Sequence, residues 1–152
     1  MVRDQLPLTD AGLVRCLEDG LSPEDWYRTL NAKVFFWLTR ERLLKLLNAG
    51  SYRLQKHDVL SLDTKLMLEA YREEIWLCPM NSGATSRFVH RRGNRTFRRI
   101  ADYPYAHWRE KRKRGQRVVE FAVDYAVRDI GRLVTRVTRM QGNGERAILF
   151  QG

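Results

Sequence analysis

The sequence RVVEFAVDYAV, residues 117–127, constrains the fold more than any other stretch of the chain. Its large apolar residues alternate with a second set that contains Glu120, Ala122 and Asp124, and this period of two is typical of a half-buried β-strand. Because Ala122 is small, we expect open space above that face of the sheet. A carboxylate at Glu120 would then stabilise a cation or accept a proton. The alternative is a solvated or ion-paired strand carboxylate.

The residues before this strand carry the whole net charge of the protein. Residues 87–117 contain 12 Lys/Arg and 2 Asp/Glu, a balance of +10, whereas the other 121 residues contain 16 of each sign. This local excess predicts a contact surface for a polyanion. Turn-forming residues are frequent over 79–117, so we predict a long basic loop with a short strand at 96–100 and a helix at 106–114.

Aromatic side chains are interleaved with cations in the second half of this loop. Aromatic faces that stack on bases, and cations that bind phosphates, are what a single-stranded nucleic acid requires. A non-catalytic nucleic-acid-binding protein would need only this surface, and a domain that binds an acidic partner protein, such as an antitoxin, would use the same patch. The candidate nucleic-acid contacts are Tyr103, Tyr105, His107, Trp108, Arg109, Lys111, Arg112, Lys113 and Arg114.

The rest of the chain predicts an α+β fold with short helices in the first half and a mixed sheet. An apolar run at 33–38 indicates a strand, which is followed by a helix capped by Thr39, and a second strand-to-helix unit covers 57–71. Further strands are predicted at 74–78 and 133–140, the latter near a sheet edge.

A single domain is expected over residues 1–140, because this length suits one hydrophobic core. Residues 141–152 read as a polar tail, whose last letters, LFQG, resemble the remnant of a protease-tag site. No run of about 18 apolar residues and no charged-then-apolar leader occurs, which predicts a cytoplasmic protein without a membrane span. Cys16 and Cys78 lack a ligand spacing, so no metal site is expected.

Arg40 is the second position with chemical interest. It shares a helix face with three leucines that follow it at spacings of three, four and seven, so helical periodicity predicts that it points inward. A guanidinium at a helix start, beside free backbone N–H groups, suits a phosphate or a carboxylate. The alternative is an arginine paired with a carboxylate of the protein, such as Asp63 or Asp124.

Several runs of the chain together resemble a known family. The order of LNAKVFFWLTRERLLKLLNA, HDVLSLDT, PMNSGAT, ADYPYAHWREKR and VVEFAVDYAVRDI resembles an uncharacterised bacterial domain family over roughly residues 3–140. That family is itself similar, more distantly, to the DarT-like ADP-ribosyltransferases, which modify nucleobases in DNA with NAD. The distant similarity rests on FFWLTR with Arg40, on HDVLSLD, and on KRKRGQRVVEF with Glu120.

The resemblance implies an ADP-ribosyltransferase-like core and a toxin-like enzyme that uses NAD as its substrate. Arg40 would contact the NAD phosphates or assist catalysis. Glu120 would orient the nicotinamide ribose and stabilise an oxocarbenium-like transition state, and the basic loop before it would read the nucleic acid. These transferases open with a strand that carries a histidine, whereas the first histidine here is His57. This departure indicates that an N-terminal portion is missing, by truncation or a mis-called start, or that the protein has lost NAD binding. The family would then be enzymatic, and this chain would be inactive if it is truncated.

Overall fold

The computed structural model describes residues 8–85 and 90–152, and the chain divides into two compact units. The first unit is built from the described parts of Met1–Leu38 and Glu73–Ala126, and the second from Thr39–Arg72 and Val127–Gly152. Within the described residues the helices are α1 Asp10–Val14, α2 Pro23–Asn31, α3 Arg40–Leu47, α4 Thr64–Tyr71, α5 Tyr105–Lys111 and α6 Ile130–Leu133. The strands are β1 Lys33–Phe36, β2 Lys56–Leu62, β3 Ile75–Cys78, β4 Arg98–Arg99, β5 Glu120–Asp124, β6 Val134–Gln141 and β7 Gly144–Gln151.

Helix starts follow the capping chemistry of the sequence. Ser22 caps α2 through a reciprocal capping box with Asp25. The Thr39 hydroxyl accepts a hydrogen bond from the Arg42 backbone N–H at the start of α3, and Asp63 caps α4 in the same way. The predicted cap at Thr39 is therefore confirmed, as are the two strand-to-helix units around it.

The first unit contains a four-stranded antiparallel sheet in the order β1-β5-β3-β4. β5 lies between β1 and β3, which confirms that the basic stretch leads into a central strand. Phe121, Ala122 and Val123 are each at most 5% exposed, so β5 is buried on both faces rather than on one.

The predicted open space above Ala122 is wrong. Phe35 and Trp76 are the register partners of Ala122 on the two neighbouring strands, so their rings lie on the same face and flank its small side chain. Helices α1 and α2 supply further apolar groups to the same cluster. Its buried members are Leu13, Cys16, Trp26, Cys78 and Phe97. The small residue thus makes room for aromatic rings of the core.

The second unit contains a three-stranded antiparallel sheet in the order β2-β6-β7. The structure differs here from the prediction of a polar tail over 141–152, because β7 pairs with β6 along Gly144–Gln151. β6 is consequently the middle strand of its sheet and not an edge strand. A turn at Gly142, whose φ is 54°, connects the two strands of this hairpin.

The α+β class is confirmed, with the strands distributed over two antiparallel sheets. Each sheet lies in its own unit, and each unit contains three of the described helices. Both the predicted acid, Glu120, and the basic stretch belong to the first unit, whereas Arg40 belongs to the second.

Candidate functional site

Glu120 is the first residue of β5 and is half-buried at one end of the strand. Its Oε1 accepts a hydrogen bond of 3.0 Å from the backbone N–H of Ser82. Its cross-strand partner on β3 is Cys78. The carboxylate is therefore fixed by backbone on the core face of the sheet, and a backbone N–H donor favours its ionised form.

The turn that holds Glu120 is itself tied to two other parts of the unit. The Trp26 indole N–H of α2 donates to the Ser82 carbonyl at 3.2 Å, and the Arg92 Nη2 donates to the Ala84 carbonyl at 2.7 Å. Inside the turn, the Gly83 N–H donates to the Asn81 Oδ1. Residues 81–84, called here the NSGA turn, thus form a clamp between α2, Arg92 and β5. The sequence predicted turn-forming residues here but not these contacts.

The pKa of the Cys78 thiol reflects burial and the charges around it. Its side chain is fully buried, and burial, followed by the negative charge of Glu120, raises the pKa of the thiol well above its usual value. The positive charge of Arg92 acts in the opposite direction on the same thiol. Carboxylate, guanidinium and thiol therefore lie within electrostatic range of one another at this end of β5.

Six side chains of the basic stretch form an exposed surface on and after α5, called here the α5 surface. The four cations among them form no ion pair within residues 8–85 and 90–152, although many cations elsewhere have a carboxylate partner. Tyr105 is 41% exposed, with its ring in edge contact with Tyr103. The six members are Tyr105, His107, Arg109, Lys111, Lys113 and Arg114.

The remaining three of the predicted nucleic-acid contacts hold the loop in place. Tyr103 is 3% exposed, and its hydroxyl donates to the Arg117 carbonyl at 2.5 Å. The Arg112 guanidinium lies 4.0 Å above the Trp108 ring and donates to the Pro79 carbonyl. These contacts attach α5 to the end of β3 and orient the exposed cations outward. Burial also raises the pKa of the Tyr103 hydroxyl.

Arg40 lies at the N-terminus of α3 with 59% of its side chain exposed. The predicted inward orientation is therefore wrong. Its guanidinium pairs at 3.1 Å with Glu145 of β7, which in turn accepts from Arg136 of β6. Pairing with a carboxylate was the alternative interpretation, but the partner lies in a stretch that the sequence predicted to be a tail.

A second ionic cluster, which sequence reasoning missed, lies at the other end of β5. Asp124 accepts hydrogen bonds from the Lys33 ammonium at 2.7 Å, the Trp76 indole N–H at 2.8 Å and the Arg99 guanidinium at 3.3 Å. Arg99 also stacks on the Trp76 ring at 3.6 Å. Two cations around one half-buried carboxylate, with an aromatic ring between them, form an ion cluster that stabilises the sheet.

The described residues contain no group of three or more His, Cys, Asp or Glu side chains placed to hold a metal ion. Over the same residues, no helix has the length and apolar character needed to cross a membrane.

Together these features define an α+β protein with a backbone-clamped carboxylate next to an exposed basic helix. The chain belongs to DUF7002, a family of unknown function, whose family model matches residues 1–134. The match covers β1 to β5 and the whole α5 surface. No curated protein and no solved structure matches the chain.

Proposed function

We propose that this chain binds single-stranded nucleic acid through the α5 surface. The observation that supports the proposal is the concentration of exposed cations without carboxylate partners among the described residues, at Arg109, Lys111, Lys113 and Arg114. A phosphate backbone would neutralise them and release its bound counterions, which is the main source of affinity in such complexes. An ion-paired surface would have to break its own pairs first.

The aromatic side chains of the surface favour a single strand over a duplex. Tyr105 and His107 are exposed on the same helix as the cations Arg109 and Lys111. Unpaired bases present their faces for stacking on such rings, and each base stacked on an aromatic ring contributes about 1–3 kcal/mol. In a duplex these faces are covered by neighbouring base pairs.

The test measures the affinity for a fluorescent oligodeoxythymidine by anisotropy across a salt series. We expect the affinity of the wild type to fall steeply with salt, and the slope of log K against log salt to become shallower by about 0.7 for each phosphate contact removed by Lys111→Gln or Lys113→Gln. Arg28→Gln is the matched control, because Arg28 is exposed in the same unit but paired with Glu24. An absence of binding at low salt would overturn the proposal, and equal competition by poly-glutamate would redirect it to an acidic protein partner.

A second function, transfer of ADP-ribose from NAD to a nucleobase, is favoured by the position of Glu120. This acid follows the basic stretch directly, and the Ser82 N–H fixes its Oε1 at 3.0 Å. The resemblance to DarT-like transferases assigns the catalytic glutamate to this residue. A fixed carboxylate stabilises positive charge that develops at a ribose carbon, because it needs no reorganisation during the reaction.

In this reaction the bond between the ribose C1′ of NAD and the nicotinamide nitrogen breaks, and nicotinamide leaves with the electron pair. A nucleobase nitrogen then forms a bond to C1′ and loses its proton, which Glu120 or solvent accepts. Arg40, which the resemblance assigns to the NAD phosphates, belongs to the second unit and pairs there with Glu145.

The test incubates the chain with labelled NAD and an oligonucleotide and measures labelled product. We expect Glu120→Gln to abolish the product, because the fixed carboxylate at this position is lost. Glu110→Gln is the matched control, because Glu110 is an exposed acid in the same basic stretch. Product formation that persists in Glu120→Gln, or no product from the wild type, would remove this second function.

A further inference from the structure

Arg92 is the most deeply buried charged residue among those described, with 1% of its surface exposed. Its Nη2 donates to the Ala84 carbonyl of the NSGA turn. Its Nε and Nη1 are also buried, and within residues 8–85 and 90–152 neither makes a hydrogen bond. A guanidinium stays ionised at any ordinary pH, so a buried one requires a counter-charge nearby.

Glu120 is the candidate for this counter-charge. Arg92 and Glu120 bond to the same turn, one at Ala84 and the other at Ser82, with a single residue between the two contacts. Their opposite charges also act on the same buried thiol.

We propose that Arg92 is a positioning residue for Glu120, which acts through the NSGA turn. Its charge favours the ionised carboxylate, and its hydrogen bond to Ala84 keeps the Ser82 N–H directed at Oε1. A shift of Arg92 would move the Ser82 N–H, because Arg92 bonds to the Ala84 carbonyl and Glu120 to the Ser82 N–H of the same turn. The role in catalysis rests on the proposed ADP-ribosyl transfer, whereas the charge coupling does not.

A double-mutant cycle tests the coupling without any activity. Thermal unfolding midpoints are measured for the wild type, Arg92→Gln, Glu120→Gln and the double variant. The loss of stability in the double variant should be clearly smaller than the sum of the two single losses. Each single variant leaves one charge without its counter-charge, whereas the double variant removes both charges. Arg99→Gln is the control, since Arg99 pairs with Asp124 at the opposite end of β5, and its loss should add to that of Glu120→Gln.

Additive losses for Arg92 and Glu120 would overturn the inference. If Arg92→Gln does not fold, recovery of a cooperative transition in the double variant is the supporting result. If the double variant also fails to fold, the cycle is repeated with Arg92→Met, which removes the charge and fills part of the same space with an unbranched side chain. Additivity in that cycle counts against the inference in the same way.

The catalytic arm measures kcat and KM for the labelling of an oligonucleotide by NAD. We expect Arg92→Gln to lower kcat by roughly 100-fold, the size of effect that a misplacement of about 1 Å causes. The KM for NAD should change less than kcat, and Arg92→Lys should restore part of the loss in kcat, because it keeps the charge. Wild-type levels of labelling in folded Arg92→Gln would overturn the positioning role. Absence of labelling in the wild type would contradict the transferase function only. The coupling between Arg92 and Glu120 would still be tested by the stability cycle, which needs no activity.

Discussion

The Lys33 ammonium lies 2.7 Å from the Asp124 carboxylate at the far end of β5, with only 7% of the Lys33 side chain exposed. The ammonium also lies 4.6 Å from the centre of the Trp76 ring. A lysine can be this deeply buried in a sheet because its charge is compensated on both sides, by a carboxylate and by the negative face of an aromatic ring.

Asp124→Asn should therefore destabilise the protein strongly. Removal of the carboxylate charge leaves Lys33 buried without compensation, and the loss of one partner of a buried pair costs about 3 kcal/mol or more. Chemical unfolding measures the difference. Asp58→Asn is the control, because the Asp58–Arg139 pair is 42% exposed on each side and should cost far less. Equal losses for the two variants would contradict the buried role of Asp124.

The same carboxylate should make the protein sensitive to acid. Burial alone would raise the pKa of Asp124, but the hydrogen bonds from Lys33 and Trp76 and the charges of Lys33 and Arg99 outweigh it, so the pKa lies below its ordinary value. Its contribution to stability is then fully present above the unfolded-state pKa of about 3.9 and is lost as the pH falls through the folded-state pKa. The free energy of unfolding, measured from pH 6 downward, should fall more steeply for the wild type than for Asp124→Asn, and parallel curves would contradict this.

Tyr103 and Tyr105 should separate stability from binding. Tyr103→Phe removes the hydrogen bond to the Arg117 carbonyl and should cost about 1 kcal/mol of stability with little change in oligonucleotide affinity. Tyr105→Ala removes an exposed ring and should weaken binding by roughly 1 kcal/mol or more. Unfolding curves and anisotropy titrations on both variants give the answer, and the reverse pattern would exclude Tyr105 as a stacking residue.

The two cysteines should be inert in the folded protein. Cys16 and Cys78 are 2% and 0% exposed, and the raised pKa of Cys78 leaves little thiolate for reaction. Iodoacetamide followed by mass measurement should show no adduct under native conditions and two adducts in denaturant. A rapid single adduct in the native protein would mean that one of these thiols is accessible.

Tyr125 adopts a strained backbone conformation, with φ of 56° and 81% of the residue exposed. Asparagine tolerates this left-handed region better than a bulky residue does, so Tyr125→Asn should raise the free energy of unfolding by up to about 1 kcal/mol. Urea unfolding measures the gain. A loss of stability would indicate that the tyrosine ring makes a stabilising contact.

Local sequence signals predicted most of the elements but not their neighbours. The Thr39 cap and the apolar run of β1 are properties of adjacent residues, which is why the two strand-to-helix units were predicted correctly. The alternation around Ala122 could not reveal that Phe35 and Trp76 flank it, because strand order is set by contacts distant in sequence. The strand β7 was missed because its residues resemble a tag remnant.

The candidate site was likewise predicted only in part. Glu120 is visible in the sequence because it is a charged residue within an apolar run. The excess of cations is visible because it follows from counting Lys and Arg over residues 87–117. Arg92 was one arginine among twelve basic residues, and nothing in its neighbours distinguishes it from those that stay exposed. Its burial follows from contacts with Cys16 and Ala84, which the sequence alone does not bring together.

The central place of β5 has a consequence for the order of events during synthesis. β5 is the last strand of its sheet to leave the ribosome, yet it is the strand that joins β1 to β3. Until residue 124 has emerged, β1 has no strand partner among the described residues, and the edges of β1 and β3 that β5 later covers are open to pairing with other chains. We therefore expect nascent chains that stop before Asp124 to depend on chaperones, and completion of this one strand to end that dependence.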